Sequence, residues 1–193
     1  MKRTYSKIYR IIHWVIAISF SFLLITIFLR LTWMEKEHVA GIIGNFLNEN
    51  GQSLPQEQLI VLAKQIRKPM WDWHIYTGYV LVGLFGLRFL LPLFDEMGLQ
   101  NPLNKELNIK EKFQKWTYIF FYIGVVISLI TGLLIEFGPK AWEKITEEIH
   151  KLSIYYLVAY IIIHISGVLL AEFTNQKGII SRIVSGKFIF NKK

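Results

Sequence analysis

Four apolar runs, each about as long as a bilayer is thick, constrain this chain more than any other feature. They cover residues 11–31, 75–94, 116–137 and 152–171. A helix of about 20 residues spans the roughly 30 Å hydrocarbon core, where helices satisfy their own backbone hydrogen bonds. The sequence therefore predicts an all-α, four-helix transmembrane bundle that forms a single integral-membrane domain over residues 1–193.

The polar connections predict short helices that lie on the membrane surface. In the first loop, residues 32–73, two apolar stripes with helical spacing predict two such helices. The stripes are Val39, Ile42, Ile43 and Phe46, then Leu59, Leu62, Ala63 and Ile66. The tail, residues 175–193, is basic and amphipathic, which is typical of a surface-lying segment. The first loop is either a lid on the membrane or a docking face for a partner, and both interpretations stay open.

The distribution of charge predicts the orientation in the membrane. The chain carries a net charge of +8, but its basic residues flank the apolar runs, so we interpret them as topological anchors and predict no nucleic-acid partner. Of the 22 lysines and arginines, 14 fall on the side that holds both termini and the second loop. This excess predicts a multi-pass protein with both termini in the cytoplasm.

Four histidines lie within or at the ends of the apolar runs, and an intramembrane histidine indicates a functional site. His150 and His164 are 14 residues apart. On one continuous helix from residue 148 to 171, both would face one side, roughly 21 Å apart. His13 enters the first run from the cytoplasmic side, and His74 opens the second run at the outer side. The sequence therefore predicts two histidines, from two different helices, at each of two depths.

Two facing imidazoles match the two axial positions of haem iron better than they match zinc, which usually takes four ligands. The chain has no cysteine, which excludes covalent haem c and thiolate-bound iron–sulfur clusters. All four methionines fall outside the runs. The sequence thus predicts two non-covalent b-type haems, with His13 and His164 as iron ligands on the cytoplasmic side and His74 and His150 on the outer side.

Other side chains near the histidines fit a flat macrocycle. A small residue follows each histidine on its own helical side, where a porphyrin edge would approach the backbone. These residues are Ala17 and Ser21, Gly78, Ser153 and Gly167. Arg10 and Arg88 lie near the cytoplasmic boundary as candidate contacts for haem propionates or a quinone carbonyl. For Arg10 the alternative, snorkelling to lipid headgroups, is favoured.

Four motifs occur in a specific order: Arg10-Ile-Ile-His13-Trp14, His74-Ile-Tyr-Thr-Gly78, His150 with His164, and the tail 177–186. The set resembles the di-haem membrane cytochrome b family, which includes bacterial cytochrome b561, cytochrome b subunits of nickel–iron hydrogenases and the formate dehydrogenase gamma subunit. The resemblance covers nearly the whole chain. It implies electron exchange between membrane quinone and an extracytoplasmic protein, such as a c-type cytochrome or a hydrogenase or dehydrogenase subunit. The chain would then be a subunit or module of a quinone-linked oxidoreductase.

Two other functions compete with electron transfer. A transporter would use the histidines as a proton relay, but between His150 and His164 the polar side chains are only Lys151, Ser153 and three tyrosines, a poor proton pathway. A non-redox membrane anchor subunit would keep the histidines hydrogen-bonded within the protein. A reducible b-type absorption band separates the cytochrome from both alternatives.

Overall fold

The structure, a computed structural model, describes residues 6–94, 101–174 and 177–186, and this part of the chain is helical without any strand. A short 3₁₀ turn, Leu91–Phe94, follows the third helix. The all-α prediction is confirmed. The helices are α1 (Lys7–Leu31), α2 (Lys36–Glu49), α3 (Gln56–Leu90), α4 (Ile109–Phe137), α5 (Lys140–Lys151), α6 (Ser153–Phe173) and α7 (Ile179–Val184).

Three stretches of the described chain are long and apolar enough to cross a membrane: Lys7–Leu31, Ile109–Phe137 and Lys140–Phe173. They match the first, third and fourth predicted runs, so a multi-pass membrane protein is confirmed. The second run is helical only as far as Leu90 and contains Arg88. It is part of α3, a helix of 35 residues, which is not among the stretches apolar enough to cross. A fourth crossing stays a prediction.

The first loop differs from the two short helices predicted for it. α2 is one of them, but the second is the start of α3, which continues through Pro69 to Leu90. An interior proline removes one backbone donor and costs about 3 kcal/mol. The part of α3 before Pro69 packs on α2. Their shared core contains Ala40, Leu59 and Ala63, all buried.

The chain divides into two compact units whose boundaries fall inside α1 and α3. One unit is Met1–Val15 with Leu84–Lys193, and the other is Ile16–Gly83. The first contains α4, α5, α6 and α7 together with the start of α1, and the second contains α2. We call them the first and second units and describe each by itself.

In the first unit α5 and α6 run antiparallel to α4. Three side-chain contacts at successive levels show this: Thr131 with His150, Phe121 with Tyr160, and Tyr118 with His164. The prediction of one continuous helix from 148 to 171 is wrong, because α5 ends at Lys151 and α6 begins at Ser153. The residue between them, Leu152, keeps helical angles (φ −65°, ψ −14°), so the chain stays on the same side of α4.

Small residues on α4 allow this close approach, as the spacing of Gly124, Ser128 and Gly132 predicts. A Cβ atom on Gly124 would lie 2.9 Å from the Tyr156 ring, and one on Gly132 would lie 3.2 Å from the His150 ring. This helix carries no histidine of its own. It nevertheless contacts His150 and His164 directly.

The ends of the first unit are built from capping interactions. The Asn108 side chain accepts from the Glu111 N–H, and the Glu111 carboxylate accepts from the Asn108 N–H, so α4 begins before its apolar run. Of the predicted surface segment 175–193, the structure describes 177–186, which contains α7 between Gly178 (φ +83°) and Gly186 (φ +73°). Residues 175–176 and 187–193 lie outside the described ranges.

Candidate functional site

The first unit brings together two of the four predicted ligands. The imidazole rings of His13 on α1 and His164 on α6 have centres 6.1 Å apart, with an angle of 49° between their planes. These residues are 151 positions apart in the chain, and the sequence predicts them to share one depth. The two rings come from two different helices and would be the residues to hold one metal between them.

Aromatic rings one turn earlier in the helix lie against both histidines. The Tyr160 ring stacks on His164 with centres 5.5 Å apart and also stacks on Phe121 at 3.7 Å. The Tyr9 ring lies nearly parallel to His13 at 6.4 Å. These stacks limit rotation of the imidazoles, so the ring planes are set largely by protein packing.

Arg88, near the end of α3, is the cation associated with this histidine pair. Its guanidinium lies 5.5 Å from the centre of the Tyr122 ring. It also lies close enough to His13 to act on it electrostatically. The sequence predicts Arg88 as a site residue but does not predict Tyr122. The one feature that could have identified Tyr122 is its hydroxyl group within an apolar run.

Arg10 is oriented differently from Arg88. Its Nη1 donates to the Val184 carbonyl at 3.4 Å, and the neighbouring Trp14 Nε1 donates to the Ile183 carbonyl at 3.3 Å. The start of α1 and the end of α7 therefore lie together within the first unit. Arg10 is thus tied to the tail segment.

In the second unit, His74 is held by a threonine of α1. Its Nδ1 lies 2.8 Å from Thr26 Oγ1, while the Thr26 hydroxyl donates its single proton to the Leu23 carbonyl at 2.7 Å. With its proton donated to Leu23, Thr26 Oγ1 can accept from His74 Nδ1. The lone pair that can coordinate a metal is then on Nε2.

A stack of side chains also covers one face of the His74 ring. The Trp71 indole lies parallel to it, with centres 4.6 Å apart and planes within 4°. The Arg30 guanidinium lies 4.0 Å from the indole centre. This arrangement fixes the plane of the imidazole, and the hydrogen bond to Thr26 fixes its rotation.

His150, in the first unit, repeats the hydrogen-bonding pattern of His74. Its Nδ1 lies 3.0 Å from the Ser128 carbonyl and 3.1 Å from Thr131 Oγ1. A carbonyl can only accept, so Nδ1 carries the proton and Nε2 the lone pair. The Thr131 hydroxyl donates to carbonyls of its own helix, as that of Thr26 does. Because His74 and His150 belong to different units, each is described only within its own.

These observations test whether the chain fits a haem. A first-row metal binds an imidazole nitrogen at about 2.0 Å, and the nitrogen lies about 1.2 Å from its ring centre, so two collinear ligands have centres about 6.4 Å apart. The 6.1 Å between His13 and His164 agrees with this separation. Cβ atoms built on Gly78 and Gly167 meet nothing within 4 Å among the described residues, which leaves room beside the histidines. The donor set therefore fits a two-ligand macrocycle.

Metal ligands usually donate their second ring nitrogen to a carbonyl or side chain, which orients the ring. Two of the four histidines, His74 and His150, do so here. Within residues 6–94, 101–174 and 177–186, no cluster of three or more histidines or carboxylates is placed to hold a metal ion. Apolar membrane helices with histidines arranged in this way define the class of membrane-bound cytochromes.

The comparison with known families agrees with that class. The chain belongs to the prokaryotic cytochrome b561 family, whose model matches residues 4–186. This confirms the resemblance to membrane cytochromes b. No curated protein and no solved structure matches the chain significantly. The family binds b-type haem and transfers electrons across the membrane, so the chain is a haem-containing membrane electron carrier.

Proposed function

We propose that the chain carries electrons between an extracytoplasmic redox partner and membrane quinone through two bis-histidine b-type haems. His13 and His164 hold the haem nearer the cytoplasm, and His74 and His150 hold the outer one. The observation that carries this proposal is the 6.1 Å separation of the His13 and His164 rings. The protonated Nδ1 atoms of His74 and His150 support it, because they leave Nε2 for iron.

The proposed topology has four crossings, by α1, the second half of α3, α4 and α6, with both termini in the cytoplasm. The contacts of Arg10 with Val184 and of Trp14 with Ile183 support termini on one side, since they bring the chain's two ends together. The excess of lysine and arginine on that side assigns it to the cytoplasm.

Within this proposal the haem, when bound, supplies an iron that takes up and gives up one electron. The chain's own residues keep the ligands neutral and oriented. The Nδ1 proton of His74 is accepted by the Thr26 hydroxyl oxygen, and that of His150 by the Ser128 carbonyl and the Thr131 hydroxyl oxygen. These hydrogen bonds make each Nε2 more basic and therefore a stronger metal ligand. Arg88, held by Tyr122, is placed to neutralise a propionate or to donate to a quinone carbonyl.

The outer partner docks on the surface formed by α2 and the start of α3. Several large apolar side chains of this surface are more than half exposed. They are Ile42, Phe46 and Val61. A c-type cytochrome or a hydrogenase or dehydrogenase subunit fits such a face. The core of an interface, which becomes buried in the complex, is more apolar than its rim and is enriched in aromatic residues. The chain then acts as the membrane subunit or module of a quinone-linked oxidoreductase.

Four single substitutions test the ligand assignment. His13→Ala and His164→Ala should each remove or disturb one common haem, and His74→Ala and His150→Ala the other, as seen in absorption spectra sorted by midpoint potential. The control is His38→Ala, an exposed histidine of α2, which should keep both haems. Loss of one shared component in His13→Ala and His150→Ala would refute the pairing. A purified wild-type protein without a b-type band would instead favour a non-redox anchor.

A further inference from the structure

A cleft in the first unit lies between the start of α1 and the end of α7. Its volume is about 400 Å³, and it is lined by Lys7, Arg10, Ile11, Trp14, Val15 and Val184. The polarity of its lining decreases along α1, because the two cationic residues come first and the apolar residues follow. From Lys7 to Trp14 the helix rises roughly 10 Å, which carries the cleft from the membrane boundary into the apolar region.

Arg10 keeps hydrogen-bonding capacity inside this cleft. The one described hydrogen bond of its side chain, from Nη1 to the Val184 carbonyl, is long at 3.4 Å. Its Nε is buried and has no partner among the described residues. A buried donor without an acceptor costs free energy, so the guanidinium is suited to an acceptor that the described chain does not supply.

The tail that closes the cleft is fixed by its own interactions. The Glu172 carboxylate accepts from the backbone N–H groups of Gly178 at 2.8 Å and Ile180 at 3.1 Å, which caps α7. At the other end of α7, a Cβ on Gly186 would lie 2.7 Å from Arg10 Cζ, so the close approach of the guanidinium requires glycine there. These contacts fix both ends of α7 beside the cleft.

The charge of the cleft selects for an anion. Among the described residues that line it, two are cationic and none is acidic. Glu172, which caps α7, is engaged with backbone N–H groups of that helix. An anionic oxygen between Lys7 and Arg10 would accept from both, and such charge-assisted hydrogen bonds are short and strong.

The remaining wall of the cleft is apolar and faces outward. Ile11 is 63% exposed and Val15 is 38% exposed, and both lie on the part of α1 that enters the apolar run. Trp14 donates its N–H to Ile183 and leaves the indole face as apolar surface. A ligand that fills the cleft thus combines an anionic head with an aliphatic chain.

We propose that this cleft is a binding site for one anionic phospholipid, with its phosphate between Lys7 and Arg10 and an acyl chain along Ile11 and Val15. The site does not depend on haem. It differs from general attraction to the membrane surface because one lipid is held by named groups, and it gives the tail a role in lipid binding.

Native mass spectrometry of the full-length protein, purified in detergent and supplied with phosphatidylglycerol, tests the proposal. The wild type should retain one phosphatidylglycerol. Lys7→Gln and Arg10→Gln should each weaken retention about fivefold, the effect of one basic residue near a lipid surface. Lys110→Gln is the matched control, since it removes one exposed positive charge at the start of α4 and should leave retention unchanged.

Two further arms identify the ligand class. Phosphatidylcholine, whose phosphate is balanced by choline, should not be retained, and excess inorganic phosphate should not displace phosphatidylglycerol because it lacks the chain. Equal retention by the wild type, Lys7→Gln and Arg10→Gln would overturn the proposal. So would equal retention of phosphatidylcholine, full displacement by inorganic phosphate, or a quinone held in place of the lipid. The b-type absorption spectrum of each variant reports separately on the haems.

Discussion

Replacing Thr26 with valine tests how the protein holds the outer haem ligand. Valine keeps the branched shape of threonine but has no oxygen to accept the His74 Nδ1 proton. The bond it removes is 2.8 Å long, well within the range of a normal hydrogen bond. Thr26 is only 3% exposed, so water does not easily replace the lost acceptor.

The expected magnitude follows from burying a donor that has lost its acceptor. That loss costs about 1–3 kcal/mol, and each 1.4 kcal/mol is about tenfold in affinity. Thr26→Val should therefore weaken binding of the outer haem roughly 5- to 150-fold, a range that includes the usual effect of removing a hydrogen-bond partner of a metal ligand. The cytoplasmic-side haem should be unaffected.

Transfer of haem to an excess of an apo-globin, followed by absorption, measures this change. Thr26→Ser restores a hydroxyl and should bind the outer haem nearly as well as the wild type. In Thr131→Val, the Ser128 carbonyl still lies 3.0 Å from His150 Nδ1, so the haem should be largely retained. Affinity in Thr26→Val within about twofold of wild type, or equal loss in Thr26→Ser, would refute the hydrogen-bond argument.

Three further predictions concern packing and the outer surface. Tyr160→Leu removes two ring stacks and should cost about 1–3 kcal/mol in unfolding free energy; it should also shift the low-spin electron paramagnetic resonance signal of one haem, while Tyr160→Phe should not. Gly124→Ala places a methyl group 2.9 Å from the Tyr156 ring and should destabilise the protein by about 1–3 kcal/mol, whereas Gly83→Ala, which meets nothing within 4 Å, should not. Deleting residues 39–64 should leave both haems bound but slow electron delivery; loss of the outer haem would instead identify the loop as a lid.

The lengths of the apolar runs predicted the helices well, because a segment within lipid has few alternatives to a helix. The fourth run, 152–171, agrees closely with α6, Ser153–Phe173. The start of α4 is predicted poorly, since hydropathy misses its polar first turns. The capping box of Asn108 and Glu111 is the signal that locates it.

At two positions the course of a helix differs from what the local residue types predict. α3 continues through Pro69, whereas the helix after His150 breaks beside the apolar Leu152. Before Pro69, α3 packs on α2, and on both sides of Leu152 the chain packs on α4. Tertiary contacts of this kind are not visible in the periodicity of a single segment.

The candidate site was partly predictable from membrane depth. Depth alone pairs His13 with His164, and the rings lie near each other; their binding of haem stays a prediction. Thr26 and Thr131 could not be identified in this way. A single threonine in an apolar run more often bonds only to its own helix, and both do this while also accepting from a histidine.

The contacts of α4 limit which insertions and deletions proteins of this kind can accept during evolution. It carries no histidine, yet it contacts His150 near its end and His164 near its start. Inserting one residue between these levels would rotate one half of α4 by about 100° relative to the other, which would move Gly132 away from His150. The spacing between His150 and His164 therefore depends on two segments: the chain that joins them in α5 and α6, and the part of α4 that contacts them. Insertions in one are tolerated only with a compensating change in the other.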